Sequence, residues 1–209
     1  MRNGTRGVLL DFDGTLTKPA FDWPAMQREM ALPMPPQAAG RLGGGARHRP
    51  GEISILDYLA AAEPAEAERV AAILERHEVE AARRAEAMEG AHELVDFLLR
   101  RGVPFGVVTN NARRHVLPML ARIGLAIEVL VTRDIGIWKP DPRHALAGAE
   151  AIGVPAGRCA FLGDGRFDMM AARAAGMVAV HLSSGQALAC DHCVGSLGEA
   201  AELLGCLLG

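Results

Sequence analysis

Four carboxylates, one hydroxyl and one ammonium stand where short apolar runs of this chain end. Val8–Leu10 leads into Asp11-Phe12-Asp13-Gly14-Thr15-Leu16, and Val103–Val108 leads into Thr109-Asn110-Asn111. Val129–Val131 is followed by Trp138-Lys139-Pro140-Asp141-Pro142, and Ala160–Leu162 runs into Gly163-Asp164-Gly165-Arg166-Phe167-Asp168. Brought together as bare anions, Asp11, Asp13, Asp164 and Asp168 would each raise the pKa of the others. A hard cation bound by oxygens resolves that repulsion. Mg²⁺ suits the task because it takes few carboxylates and keeps water or phosphate oxygens as its remaining ligands. Lys139 adds positive charge suited to a phosphate dianion. Any one of these residues alone reads as a turn or a helix cap. Four segments in order, each at a strand end, read as a site.

The elements that must position them follow from apolar patterning. The runs Val8–Leu10, Val103–Val108, Val129–Val131, Ala160–Leu162 and Val178–Val180 are rich in Val, Leu and Ile without clean alternation. That suits parallel strands covered on both faces. Helical stripes lie between them: Ala91–Arg101, Arg113–Ile123 with Pro118 inside it, His144–Ile152 and Met169–Ala175, each followed by a glycine suited to a left-handed cap. A last helix opens at Ser196-Leu197-Gly198-Glu199, a capping-box pattern. Strand alternating with helix predicts an α/β fold with a Rossmann-like open parallel sheet, its ligand site beyond the carboxyl ends of the strands.

One block breaks the alternation. Residues 19–88 contain no convincing strand, carry a loop rich in Gly, Pro and Arg from Gly40 to Gly51, and show helical patterns at Ile53–Ala62 and Pro64–Met88. They are expected to form a small α-helical cap domain inserted into a discontinuous catalytic core of residues 1–18 and 89–209.

The D-x-D-G-T-L opening, the Thr after the second strand, the Lys-Pro after the third and the G-D-x-x-x-D after the fourth resemble the haloacid dehalogenase superfamily, in its phosphoglycolate phosphatase-like branch. The resemblance covers the core, and it extends to the cap only in position and helical character. It implies Mg²⁺-dependent hydrolysis of a small phosphate monoester. Asp11 would be the nucleophile, forming an aspartyl-phosphate, and Asp13 the general acid and base. Gly14, Thr109, Asn110 and Lys139 would contact the phosphate, and Lys139 would also neutralise charge on Asp11. Asp11, Asp164 and the backbone carbonyl of Asp13 would hold the metal, with Asp168 orienting a metal-bound water or Lys139 from behind. Position 165 is Gly where the family often has Ser. A dehalogenase on the same fold lacks the second acid and the metal, so Asp13 and Asp164 favour the phosphatase. A phosphomutase acting on a sugar phosphate shares the core residues, and a phosphate-binding regulatory protein is the reading from a different class.

Composition sets limits. A chain of 209 residues, half of them hydrophobic and with a formal net charge of −3, is a packed globular protein with room for one core and a small second domain. The charge and the 4% aromatic content argue against nucleic-acid binding. No run is long enough to span a membrane, and Asp11 interrupts the apolar run near the N-terminus, so a cytoplasmic location is the expectation, while the resemblance implies a small phosphorylated metabolite as partner. The four cysteines, Cys159, Cys190, Cys193 and Cys206, are expected as free thiols, with Cys190-x-x-Cys193 falling in a short late strand. Arg41, Arg47, His48 and Arg49 read as a solvated face, and Arg113 and Arg114 are near enough to the predicted site to touch substrate.

Overall fold

The structure is a computed structural model that describes residues 4–21, 23–30, 54–183, 185 and 188–209. The Gly40–Gly51 loop, and with it Arg41, Arg47, His48 and Arg49, lies outside the described residues. The chain divides into two compact units, Met1–Ala20 with Ala82–Gly209, and Phe21–Ala81.

Among the described residues, the larger unit carries six parallel strands: β1 (Gly7–Leu10), β2 (Phe105–Thr109), β3 (Leu130–Thr132), β4 (Cys159–Gly163), β5 (Val178–Leu182) and β6 (His192–Val194). Their order across the sheet is β3-β2-β1-β4-β5-β6. β1 sits at the centre, pairing Val8 with Phe105 on one side and with Ala160 on the other. The chain order reverses beside β1, which is the topological switch point where such sheets form a crevice at their carboxyl edge.

Helices cover both faces, and the strands sort their residues by the two-residue period. Val8, Leu10, Val107, Leu162 and Val180 face one layer, built by α4 (Ala91–Arg100), α5 (Arg113–Ile123) and α8 (Leu197–Leu208). Leu9, Val108, Phe161 and Ala179 face the other, built by α6 (Pro142–Ala151) and α7 (Arg166–Ala174). Both sets are buried, which is why the runs do not alternate with polar residues.

Several boundaries move from their predicted places for identifiable reasons. β2 begins at Phe105 and not at Val103, because Pro104 has no N–H to give and joins the sheet only through its carbonyl, which accepts from Val8 N at 3.0 Å. α7 begins at Arg166, three residues before the predicted start, so Asp168 lies within its first turn. The capping pattern at Ser196 is half as predicted. Ser196 Oγ accepts from Glu199 N at 3.2 Å, but the Glu199 carboxylate accepts from Gly195 N, one residue earlier than a closed box requires.

The smaller unit is helical in its described parts, with α1 (Trp23–Met30), α2 (Ile55–Ala61) and most of α3 (Pro64–Arg84). Ser54 caps α2 by accepting from Leu56 N at 3.1 Å. α3 stops at Arg84 and not at Met88. The segment after it is drawn into extended pairing with the chain leaving β1, where Glu86 O accepts from Lys18 N and Leu16 O from Met88 N.

Candidate active site

The carboxyl ends of β1, β2 and β4, with the segment after β3, bring the predicted residues to one place. Asp11 is the first residue past β1 and is buried, because the strand holding it is the innermost of the sheet. Lys139 is 3% exposed, and its Nζ donates to Asp11 Oδ1. The same Nζ lies 2.6 Å from Asp168 Oδ1 and 5.6 Å from the centroid of the Phe161 ring. The other oxygen of Asp168 accepts from Gly165 N at 2.9 Å. Asp168 therefore closes the first turn of α7 and pairs with the lysine at once.

Oxygens of Asp11, Asp164 and Asp168 lie within 4.8 Å of one another. Three carboxylates against one ammonium leave an excess of negative charge, and the titration of each group reflects it. Burial, reinforced by Asp168 and then Asp164, holds the Asp11 carboxyl well above the usual carboxylate range, against the pull of Lys139. Asp164 as a residue is exposed, yet its carboxyl faces the cluster, where desolvation and then the Asp168 charge push it up to about 6. Burial opposes the charge on Lys139, but Asp11 and Asp168 together outweigh it and raise the lysine above its ordinary value. Oxygen donors only, crowded and under-neutralised, are the donor set a hard divalent cation fits.

Gly14 sets how closely the β1 loop approaches Asp164. Its φ is +78°, and a Cβ there would lie 2.1 Å from Asp164 Oδ2. Its N–H donates to Thr17 O at 2.9 Å, so this residue serves the site through the side chain it lacks. A Gly14→Ala substitution is expected to displace Asp164 and weaken divalent-cation binding by tenfold or more, on the order of 1.4 kcal/mol or above. Titration calorimetry with Mg²⁺ checks this, and unchanged affinity would mean that the contact gives way without consequence.

The end of β2 divides its labour differently from the prediction. Thr109 is buried, and its Oγ1 accepts from Asn111 N at 3.2 Å. Asn110, predicted to contact phosphate, has both ends of its side-chain amide on the Lys139 backbone. Nδ2 donates to Lys139 O at 2.9 Å, and Oδ1 accepts from Lys139 N at 2.8 Å. It holds the lysine segment in place. Asn111, to which the sequence reading gave no role, donates from Nδ2 to Asp13 Oδ2, while Thr17 Oγ1 approaches Asp13 Oδ1 at 3.4 Å.

Arg113, expected near substrate, sends its guanidinium to the Leu130 carbonyl at 3.2 Å, and its backbone N–H is capped by Asp134 at 2.6 Å. All four cysteines are free. Among the described residues, Cys190 and Cys193 belong to no cluster with metal-binding spacing.

Residues 5–176 match the family model described as haloacid dehalogenase-like hydrolase. A phosphoglycolate phosphatase of Xanthomonas campestris pv. campestris (strain 8004) is 33% identical over 184 residues, spanning 84% of this chain and 81% of that protein. An N-acetylmuramic acid 6-phosphate phosphatase of Pseudomonas aeruginosa is 31% identical over 180 residues, spanning 82% of this chain and 78% of that protein. The crystal structure of a hydrolase from Pseudomonas syringae covers 98% of this chain and 100% of its own, with a TM-score of 0.76 at 24% identity, which speaks to the fold.

Proposed function

The chain belongs to the haloacid dehalogenase-like hydrolases as a phosphoglycolate phosphatase-like phosphatase, and from that premise we propose that it hydrolyses a small phosphate monoester through an aspartyl-phosphate on Asp11, with Mg²⁺ as its metal. The observation that carries this reading is the buried triangle of Asp11, Lys139 and Asp168 with Asp164 beside it.

In this reading an Asp11 oxygen forms a bond to phosphorus as the bond from phosphorus to the ester oxygen breaks. Asp13 gives its proton to the departing oxygen. It then takes a proton from the water that attacks the phosphoaspartate, and that second displacement returns Asp11 as a carboxylate. Lys139 holds Asp11 in position and faces the phosphoryl oxygens. Asp11, Asp164 and the Asp13 backbone carbonyl would hold Mg²⁺. Bound there, the metal supplies positive charge to the phosphoryl oxygens and keeps Asp11 ionised where the bare cluster favours its protonation. Thr109 supplies a hydroxyl to the phosphate, and Asp168 keeps Lys139 in place.

Asn111 enters this scheme as the donor that orients Asp13. An Asn111→Ala variant is expected to lower kcat about 10-fold to 100-fold with a smaller change in KM, because the acid loses its set position and not its chemistry. Steady-state kinetics on one ester at several pH values reads this out. A purely KM effect would place Asn111 in substrate binding instead.

The two relatives act, by name, on phosphoglycolate and on N-acetylmuramic acid 6-phosphate, so a small phosphorylated metabolite is the substrate class proposed here. The helical unit is assigned the role of a cap that selects among such esters.

The direct test is hydrolysis of p-nitrophenyl phosphate by the purified protein with Mg²⁺, with EDTA, and with Mg²⁺ restored. Turnover lost in EDTA and recovered with Mg²⁺ is the expected result. Isomerisation of a sugar phosphate with little phosphate released would transfer the reading to a mutase. Phosphate binding without turnover would transfer it to a regulatory protein.

A further inference from the structure

Asp164 is fixed from two sides, and only one of them belongs to the signature motifs. Gly14 packs against its carboxylate. Its backbone carbonyl is held by His181, a residue of β5 outside every motif considered above. His181 is 2% exposed, and its Nε2 lies 3.0 Å from Asp164 O. Its Nδ1 lies 3.4 Å from the backbone N of Leu188 and 3.9 Å from Cys193 Sγ.

These partners fix the tautomer. A carbonyl oxygen can only accept, so Nε2 must carry the hydrogen. A backbone N–H can only donate, so Nδ1 must present its lone pair. One arrangement of the ring, with its hydrogen on Nε2, meets both demands. The side chain is thus a strut between the turn that carries Asp164 and the chain entering β6. A hydrogen bond on the backbone of a ligating residue sets where its carboxylate points, and outer-shell contacts of this kind are worth about 10-fold to 100-fold in metal affinity.

We propose that His181 is a positioning residue for the metal site, holding the Asp164 turn through the hydrogen bond from Nε2 to Asp164 O. The proposal rests on the reading of Asp164 as a metal ligand.

Two polar variants separate the ends of the strut. In His181→Gln the side-chain amide reaches the place of Nε2 and can still donate to Asp164. In His181→Asn it reaches only the place of Nδ1, so it keeps the Leu188 end and loses the Asp164 end. Both remain buried polar side chains with one end satisfied, so a general effect on folding should touch them alike. The probe is Mg²⁺ alone, titrated calorimetrically into each protein, with a metal-free thermal melt alongside. The expected result is affinity within about threefold of wild type for His181→Gln and about tenfold weaker for His181→Asn, at similar melting temperatures. Equal affinities for the two variants would overturn the proposal. An Asp164→Ala control separates the layers of the argument. If Mg²⁺ binds Asp164→Ala as it binds wild type, the reading of Asp164 fails and the proposal falls with it. If Asp164→Ala loses binding while the two His181 variants match, only the role of His181 fails.

Discussion

An Asp11→Asn variant is expected to lose turnover by about 10⁴-fold or more while remaining folded, a change of roughly 5 kcal/mol or above in the barrier. Asparagine has the shape of the carboxylate but not the charge that attacks phosphorus. The fold should tolerate it. Asp11 is one of three crowded carboxylates, and its carboxyl already sits well above the usual range because burial and Asp168 disfavour its charge. Removing that charge relieves repulsion even as it takes one partner from Lys139, which keeps Asp168 at 2.6 Å. The check is kcat on p-nitrophenyl phosphate together with a metal-free melt. Turnover within tenfold of wild type would show that another group carries the phosphoryl transfer.

The second large effect lies with Lys139. A Lys139→Met variant keeps the length and apolar body of the side chain and removes the ammonium that contacts both Asp11 and Asp168. Losing one member of a buried ion pair costs about 3–5 kcal/mol, because the remaining charge is left uncompensated. The destabilisation should depend on pH with a definite sign. In the wild-type fold the Asp11 and Asp164 carboxyls already sit above their ordinary value of 3.8, Asp164 at about 6. Removing Lys139 raises both further. An acid whose folded-state pKa is raised favours the folded protein when protonated. Its contribution is therefore complete below about pH 4 and is lost as pH rises through 6 and beyond. Metal-free Lys139→Met should thus be closest to wild type in stability near pH 5 and furthest from it near pH 8. Urea unfolding at both pH values, in EDTA, measures this. A deficit that grows toward low pH would contradict the charge account of the cluster.

Much of this was legible in the sequence because strand ends are legible. A run of Val, Leu and Ile that stops at an acid says both that a strand is buried and where its carboxyl end lies, and Asp11, Thr109 and Asp164 stand where that reasoning puts them. What stayed hidden depends on direction. Beyond β2 the chain bends at Asn110 and Asn111, and the bend sends their side chains to different partners. Asn110 therefore faces the Lys139 backbone, while Asn111, next along, reaches Asp13. Two identical side chains in sequence gave no sign of which was which. The order of the sheet was hidden for a related reason. Nothing local in β4 says that it lies beside β1 and not beside β3, because that choice is made by the crossovers. His181 left no mark either, since a histidine at the end of an apolar run reads as a strand terminus.

The two outermost strands, β3 and β6, are three residues each, whereas their inner neighbours β2 and β5 have five. An open sheet exposes a row of unpaired backbone groups at each border, and a long border is a template on which another chain can add. Here each border strand is only three residues long. On the β3 side, Val129 O turns inward to Val107 N, so the next carbonyl, that of Leu130, turns outward, and the guanidinium of Arg113 already occupies it at 3.2 Å. An approaching strand would have to displace a charged donor to begin pairing. The protein can leave its sheet open, as the crevice at its carboxyl edge demands, without offering that openness to other copies of itself as a site for aggregation.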